Sequence, residues 1–232
     1  MTFLNAYWKN LMFLNYEIDP KILEPFVPKG TVLDLFNGKC YVSVVGFKFM
    51  DVKVLGIKLP GHINFPEVNL RFYVKHNGRR GTVFIKEIVP KPLITIVANT
   101  IYHEHYQTSK MSYEWTQDEQ HNHFEYRWKL KNGWQSIKAS TVKEPSVIQE
   151  NSKEEFITEH YFGYTKYKNK TFQYEVVHPS WQQLKVVDCQ VDLDFKTNYG
   201  KHFAFLNGAL PSSIILAKGS SVQVKNKTTV HR

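Results

Sequence analysis

The 232 residues carry a formal charge of +9, from 30 Lys and Arg against 21 Asp and Glu, and are 42% hydrophobic and 22% charged. That size and balance predict a single domain over residues 1–232 with a real core, and two cysteines exclude a disulfide scaffold. No apolar run reaches the ~20 residues that span a bilayer, and the N-terminus lacks the basic and apolar regions of a signal peptide, so a cytoplasmic protein is expected.

Asp19 and Pro20 suit an N-cap and a first helical position, which starts a short helix through Ile22 and Leu23 that stops between Pro25 and Pro28. Strands follow at Val32–Phe36 and Lys39–Phe47 around the Asn37-Gly38 turn, and Met50–Leu59 reads as a further edge. Phe65–Val74 alternates in polarity. As a strand it sets Glu67, Asn69, Arg71 and Tyr73 on one face and Val68, Leu70, Phe72 and Val74 on the other. Asn77-Gly78 predicts a two-residue type I′ loop that pairs His76 with Arg79. Arg71 then faces Phe84, Asn69 faces Lys86 and Val68 faces Glu87, which brings Lys86 to the polar face and Val83 and Ile85 to the apolar one.

Ile94–Ile101 reads as a strand and His105–Met111 as a short helix. Ser112–Gln117, Phe124–Leu130 and Trp134–Thr141 form a meander. Ser152 and Glu155 make a capping box for a helix reaching about Tyr161. Tyr164–Lys168 and Thr171–Val177 form a hairpin across Asn169-Lys170, and Val186–Phe195, Phe203–Leu206 and Ser221–Lys225 complete the strands. Many strands with a few short helices predict a mainly β fold, a β-dominated α+β chain closed or nearly closed into a barrel.

Basic residues mix with acidic ones, the densest runs being Lys166–Lys170 and Lys225–Lys227. No zinc framework, helix-turn-helix or RNP-like strand accompanies them, so no nucleic acid is expected. A solvated surface or a small anionic ligand accounts for the charge. Within Tyr102-His103-Glu104-His105-Tyr106, the His-x-His lacks a third ligand and the helical His-Glu-x-x-His spacing, so no metal is expected. Arg79-Arg80 reads as a solvated hairpin tip, His121 and His123 as exposed, and Cys40 and Cys189 as reduced core thiols. Neither a Gly-x-Ser-x-Gly elbow nor a phosphate-cradling glycine loop is present, so no cofactor is expected. The polar face of Phe65–Val74 either meets water, the commoner arrangement, or walls a ligand cavity in which Arg71 anchors an anion.

The blocks Glu67–Val74, Arg79–Pro90 and Tyr102–Tyr106 with Met111, together with Ser43–Phe47 and Gly219–Val222, resemble the bacterial YqjF-like family, a domain of unknown function. The resemblance covers nearly the whole chain. That family is similar in fold to acetoacetate decarboxylase, whose superfamily is a β-barrel around a small-molecule cavity; Leu23–Pro28, the Glu67 strand and Ile94–Tyr106 carry the local likeness. By this resemblance Glu67 matches a cavity carboxylate, whereas the Schiff-base lysine and its following lysine fall at Tyr106 and Gln107. Tyrosine forms no imine, and neither Lys86 nor Lys110 stands at the matching position.

The resemblance and the alternating face together imply a small-molecule-binding β-barrel for an anionic or carbonyl-bearing ligand. Its ligand-binding candidates are Glu67, Asn69, Arg71, Tyr73, Lys86 and Tyr106, with Glu67, Tyr106 and Lys86 as catalytic candidates. Two alternatives stand beside it: an enzyme acting on a keto or carboxylate substrate by acid–base chemistry without the lysine, and a non-catalytic basic interaction module. A homo-oligomer is compatible with each.

Overall fold

The computed structural model describes residues 1–230. Its strands are β1 (Thr2–Ile18), β2 (Val32–Leu33), β3 (Cys40–Val54), β4 (Phe65–His76), β5 (Arg79–Val89), β6 (Tyr106–Thr108), β7 (Met111–Gln117), β8 (His121–Leu130), β9 (Gly133–Val147), β10 (Phe162–Tyr167), β11 (Lys170–Val177), β12 (Gln182–Asp192), β13 (Ser213–Lys225) and β14 (Thr228–Thr229). Short helices lie at α1 (Pro20–Leu23), α2 (Pro92–Val97), α3 (Lys153–Thr158) and α4 (Phe195–Tyr199). No helix among the described residues is long and apolar enough to cross a membrane.

The strands form one large mixed sheet. Val176 of β11 pairs with Val224 of β13, and this contact closes the path β11-β10-β5-β4-β3-β1-β13 into a circuit. Beyond the circuit, the sheet continues from β13 through β12, β9 and β8 to β7. This extension packs against the outer face: Phe124, Tyr126, Trp128 and Ile137 share one apolar cluster with Val42, Val44, Val68, Leu70, Phe72 and Val74. Strand β4 is therefore covered on both sides, and every residue from Phe65 to Val74 is buried although their polarity alternates. The polar face does not meet bulk water.

Local signals placed several elements. Asp19 caps α1 by accepting from the Lys21 amide at 2.9 Å, and Ser152 caps α3 by accepting from the Glu155 amide at 3.1 Å. The Asn77-Gly78 turn pairs His76 with Arg79, and the register holds through Arg71 opposite Phe84. There it slips. A β-bulge sets Leu70 opposite Lys86, Asn69 opposite Glu87 and Val68 opposite Ile88, leaving Ile85 as the extra residue. Both bulge residues turn outward, Ile85 onto the apolar cluster and Lys86 with its ammonium donating to the Asn198 carbonyl. The expected pairing of Asn69 with Lys86 is corrected to Asn69 with Glu87.

Other elements also differ from expectation. Ile94–Ile101 is not a strand: α2 begins at Pro92 and runs into a π-helical turn over Ala98–Tyr102. Pro92 at the first turn and the spacing Ile94, Val97, Ala98 and Tyr102, which all face inward, outweigh the β-branched content. His105–Met111 holds no helix, because Tyr106–Thr108 pairs in parallel with Glu87–Val89. Phe203–Leu206 lies in a 3₁₀ turn, not a strand. Met50–Leu59 is not a separate edge, since β3 runs unbroken to Val54. Strand β1 matches none of the expected elements: Leu11–Leu14 is apolar throughout because both faces are buried, which erases the two-residue period.

Candidate functional site

The seven strands of the circuit surround a cavity of about 140 Å³, and each contributes to its wall. A hollow of roughly 150 Å³ takes up a guest the size of benzene. Most of the wall is aromatic or aliphatic, including Trp8, Phe47, Phe49 and Trp181. The polar part comes from β4, β5 and the elements packed across them. The alternation of β4 aims Glu67, Asn69 and Arg71 inward, and the bulge in β5 brings Glu87 in beside Asn69.

Glu104 and Tyr106 enter from the segment after the π-helical turn. His103 adopts a left-handed backbone (φ 60°) and stacks outside on Tyr167 at 3.8 Å. That reversal turns Glu104 into the cavity while His105 stays exposed. Three buried carboxyls thus share one hollow with one guanidinium. Glu67 accepts from Asn69 Nδ2 at 2.9 Å and from the Tyr106 hydroxyl at 3.1 Å. Glu104 Oε1 accepts from Thr165 at 2.5 Å and from the Tyr174 hydroxyl at 3.0 Å. Glu87 is the direct β5–β6 neighbour of Tyr106, and its Oε2 has no protein partner.

Burial governs the titration of all three. Desolvation pushes Glu67 up to about 7, against hydrogen bonds from Asn69 and Tyr106 that favour its ionised form. It also pushes Glu104 up to about 7, against Thr165 and Tyr174. Glu87 is raised well above the usual range, first by desolvation and then by the charges of Glu104 and Glu67. The trio therefore holds protons near neutrality.

At Arg71 the chemistry changes sign. Its guanidinium lies 4.9 Å from the Phe13 ring centre and 5.5 Å from that of Tyr73, and one terminal nitrogen donates to the Ile157 carbonyl at 3.1 Å. Its Nε has no partner. Arg80 donates to the neighbouring Phe156 carbonyl at 3.1 Å, so two arginines hold the end of α3 and with it His160. His160 lines the cavity and packs on the Tyr73 ring at 4.6 Å.

Of the candidates named from the sequence, Glu67, Asn69, Arg71 and Tyr106 come together at this cavity. Lys86 does not, being on the opposite face of β5. Tyr73 lies on the inner side but stops short of the cavity, its hydroxyl 2.6 Å from Ser43 Oγ. Glu87, Glu104, His160 and Tyr174 were missed. An extended reading of Tyr102–Tyr106 would have found Glu104, since alternation puts it with Tyr106. No local signal marks the bulge that delivers Glu87. Among the described residues, no group of three or more His, Cys, Asp or Glu is disposed to hold a metal ion, and no lysine lines the cavity.

A pH dependence of stability follows. Each buried carboxyl keeps its proton to higher pH in the fold than in the unfolded chain. For Glu67 and Glu104 that contribution is complete below about pH 4.5 and is lost as pH rises through about 7, and Glu87 acts in the same direction. His160, held at about 4, works the other way and has finished by about pH 6.5. Unfolding free energy is therefore expected to fall by on the order of 2 kcal/mol between about pH 6.5 and 8, and Glu67→Gln to shrink that fall. Denaturant titrations across this range check it, and a flat wild-type profile contradicts it.

A family model described as "Uncharacterized conserved protein" (DUF2071) matches residues 5–221. The uncharacterized protein YqjF of Bacillus subtilis is 28% identical over 178 residues, which are 75% of this chain and 72% of that protein. Among solved structures, the enduracididine biosynthesis enzyme MppR complexed with pyruvate is similar at a TM-score of 0.69 and 12% identity, over 99% of this chain and 91% of that one. Acetoacetate decarboxylase from Legionella pneumophila is similar at a TM-score of 0.66 and 11% identity, over 98% and 87%. At such identities the likeness is one of fold, and the fold is acetoacetate-decarboxylase-like.

Proposed function

The chain belongs to the DUF2071 family of uncharacterized conserved proteins, and on that premise we propose that it binds a small carbonyl-bearing carboxylate in the cavity behind β4 and β5. The carrying observation is where unpartnered polar atoms collect. Of nine buried side-chain nitrogens and oxygens without a partner among the described residues, five belong to cavity residues: Trp8, Asn69, Arg71, Glu87 and His160. Leaving each such group unpaired costs about 1–3 kcal/mol, so their gathering at one apolar hollow marks a place where a polar guest is received.

Arg71 binds the carboxylate through its free Nε–H, as the one Arg or Lys among the described residues of the wall. The carbonyl meets the carboxyl trio, where protonated Glu67 or Glu87 donates a hydrogen bond. Glu67 and Arg71 stand four residues apart on one strand, about 13 Å along the backbone, so it is their long inward side chains, not their backbone positions, that would bracket a ligand this short. MppR, which shares the fold, has been captured with pyruvate, itself a small oxo acid.

Calorimetric titration with acetoacetate and 4-oxopentanoate, against pentanoate, tests this reading. The oxo acids are expected to bind more tightly, and borohydride is expected to trap no adduct because no amine lines the cavity. Equal binding of all three, or none, overturns it.

Glu67 also supports a second reading. A carboxyl poised at about 7 beside a bound carbonyl is placed to move a proton at the adjoining carbon. Deuterium uptake from heavy water into 4-oxopentanoate, lost in Glu67→Gln, would identify an acid–base enzyme; binding without exchange would leave a binding protein.

A further inference from the structure

The Arg71 end of the cavity holds a second buried group whose polarity is determined by its neighbours. His160 Nε2 lies 3.2 Å from Asp34 Oδ2. Arg80 Nε sits 2.7 Å from the same carboxylate oxygen and Lys75 Nζ 3.7 Å from the other. Burial opposes ionisation of Asp34, but hydrogen bonds from His160 and Arg80 with the Arg80 charge prevail and hold it down at about 2. Asp34 is thus a carboxylate and only accepts. The imidazole nitrogen facing it must carry the proton.

His160 itself is neutral at physiological pH: burial pushes it down to about 4, helped by the charges of Arg80 and Arg71 and opposed by Asp34. A neutral ring protonated on Nε2 has a bare lone pair on Nδ1. That Nδ1 is buried and unpartnered, on a residue of the cavity wall only 6% exposed. Arg71 Nε, a donor, is likewise buried and unpartnered, and the guanidinium and the imidazole lie 5.5 and 4.6 Å from the centre of the Tyr73 ring. A donor and an acceptor without protein partners thus line one cavity around the same aromatic ring.

We propose that this pair reads a carboxylate whose neighbouring carbon bears a hydroxyl: Arg71 takes the carboxylate and His160 Nδ1 accepts the hydroxyl proton, so 2-hydroxy acids are the preferred ligand class. A 2-oxo acid in its keto form sets a carbonyl lone pair against the Nδ1 lone pair and is disfavoured there. Any carbonyl on the ligand belongs farther along, at the carboxyl trio. The inference rests on the binding of a carboxylate at Arg71 proposed above, and it makes His160 a specificity-determining residue held in its tautomer by Asp34.

Calorimetric titration of the full chain with butanoate, 2-hydroxybutanoate and 2-oxobutanoate tests it. The hydroxy acid is expected to bind about tenfold or more tightly than butanoate, the worth of one hydrogen bond to a buried, otherwise unsatisfied acceptor, and more tightly than the oxo acid. His160→Phe should erase that order while butanoate binding persists. In wild-type protein, ¹⁵N NMR should show Nδ1 as the unprotonated nitrogen and its resonance shifting with the hydroxy acid but not with butanoate. This readout does not depend on a variant folding. Equal affinity for hydroxy acid and butanoate, or a proton found on Nδ1, overturns the inference while leaving carboxylate binding intact. Failure of all three acids to bind overturns the carboxylate reading itself, and this one with it.

Discussion

Arg71→Met is expected to weaken binding of 4-oxopentanoate by about 100-fold or more, while the fold remains intact. Truncating one member of a buried, hydrogen-bonded charge pair costs about 2–5 kcal/mol, largely because the partner charge is left unpaired in a dry site. Here the partner is the ligand carboxylate, and among the described residues of the wall no second Arg or Lys stands ready to take the place of Arg71. Stability responds differently. The guanidinium neutralises no carboxylate by direct contact; its recorded partners are the Ile157 carbonyl and two aromatic rings. A thioether fills much of the same space without the desolvation cost of a buried cation. Calorimetry and denaturant unfolding on the same variant separate the two effects. Undiminished affinity would remove Arg71 from the anion site. Arg71→Lys should fall between, since it keeps the charge but not the planar fork.

Gly219→Ala is expected to destabilise the protein by about 3 kcal/mol or more, a large share of the 5–15 kcal/mol that typically holds a domain folded. Two costs combine. Gly219 has φ +83°, a left-handed conformation that side chains resist. Its added Cβ would also lie 2.0 Å from the Trp8 carbonyl oxygen and 2.7 Å from the Trp8 carbonyl carbon, both backbone atoms that cannot rotate away. Gly219 faces Lys9 across the β1–β13 pair, so relief requires parting those strands next to Trp8, a cavity residue. Gly208→Ala is the control: φ is +75° with nothing within 4 Å of the new atom, so only the backbone cost of about 1 kcal/mol applies. Urea midpoints of the two variants give the comparison. If they match, the close approach of β1 and β13 at this point is refuted.

The parts of the fold that were legible beforehand depend on near neighbours. Asn77-Gly78 adopts positive φ at both positions, and that alone set the register up to Arg71 and Phe84. Asp19 and Ser152 cap helices with their own side chains. The alternation of Glu67, Asn69 and Arg71 placed three polar groups on one face before any fold was known. Where these signals fail, a distant contact has overruled a local preference. The β-branched run Ile94–Val97 becomes helical because Ile94, Val97 and Ala98 close one wall of the cavity. β1 carries no period over Leu11–Leu14 because Met12 and Leu14 enter one apolar cluster on one face and Leu11 and Phe13 another on the other.

The chain's own residue order determined that one ribbon would carry a charged face and a greasy face, that a tight turn would follow it, and that no lysine would stand where Tyr106 does. Only the tertiary structure decided that the charged face points inward, because that depends on the β7–β9 and β12 layer claiming the greasy one. It also exchanged Lys86 for Glu87 at the cavity through a single extra residue in β5, putting a carboxyl where a cation was expected. Side-chain alternation is a property of a strand alone. Which side is sealed from water, and where a bulge resets the count, are settled by the strands that pack around it.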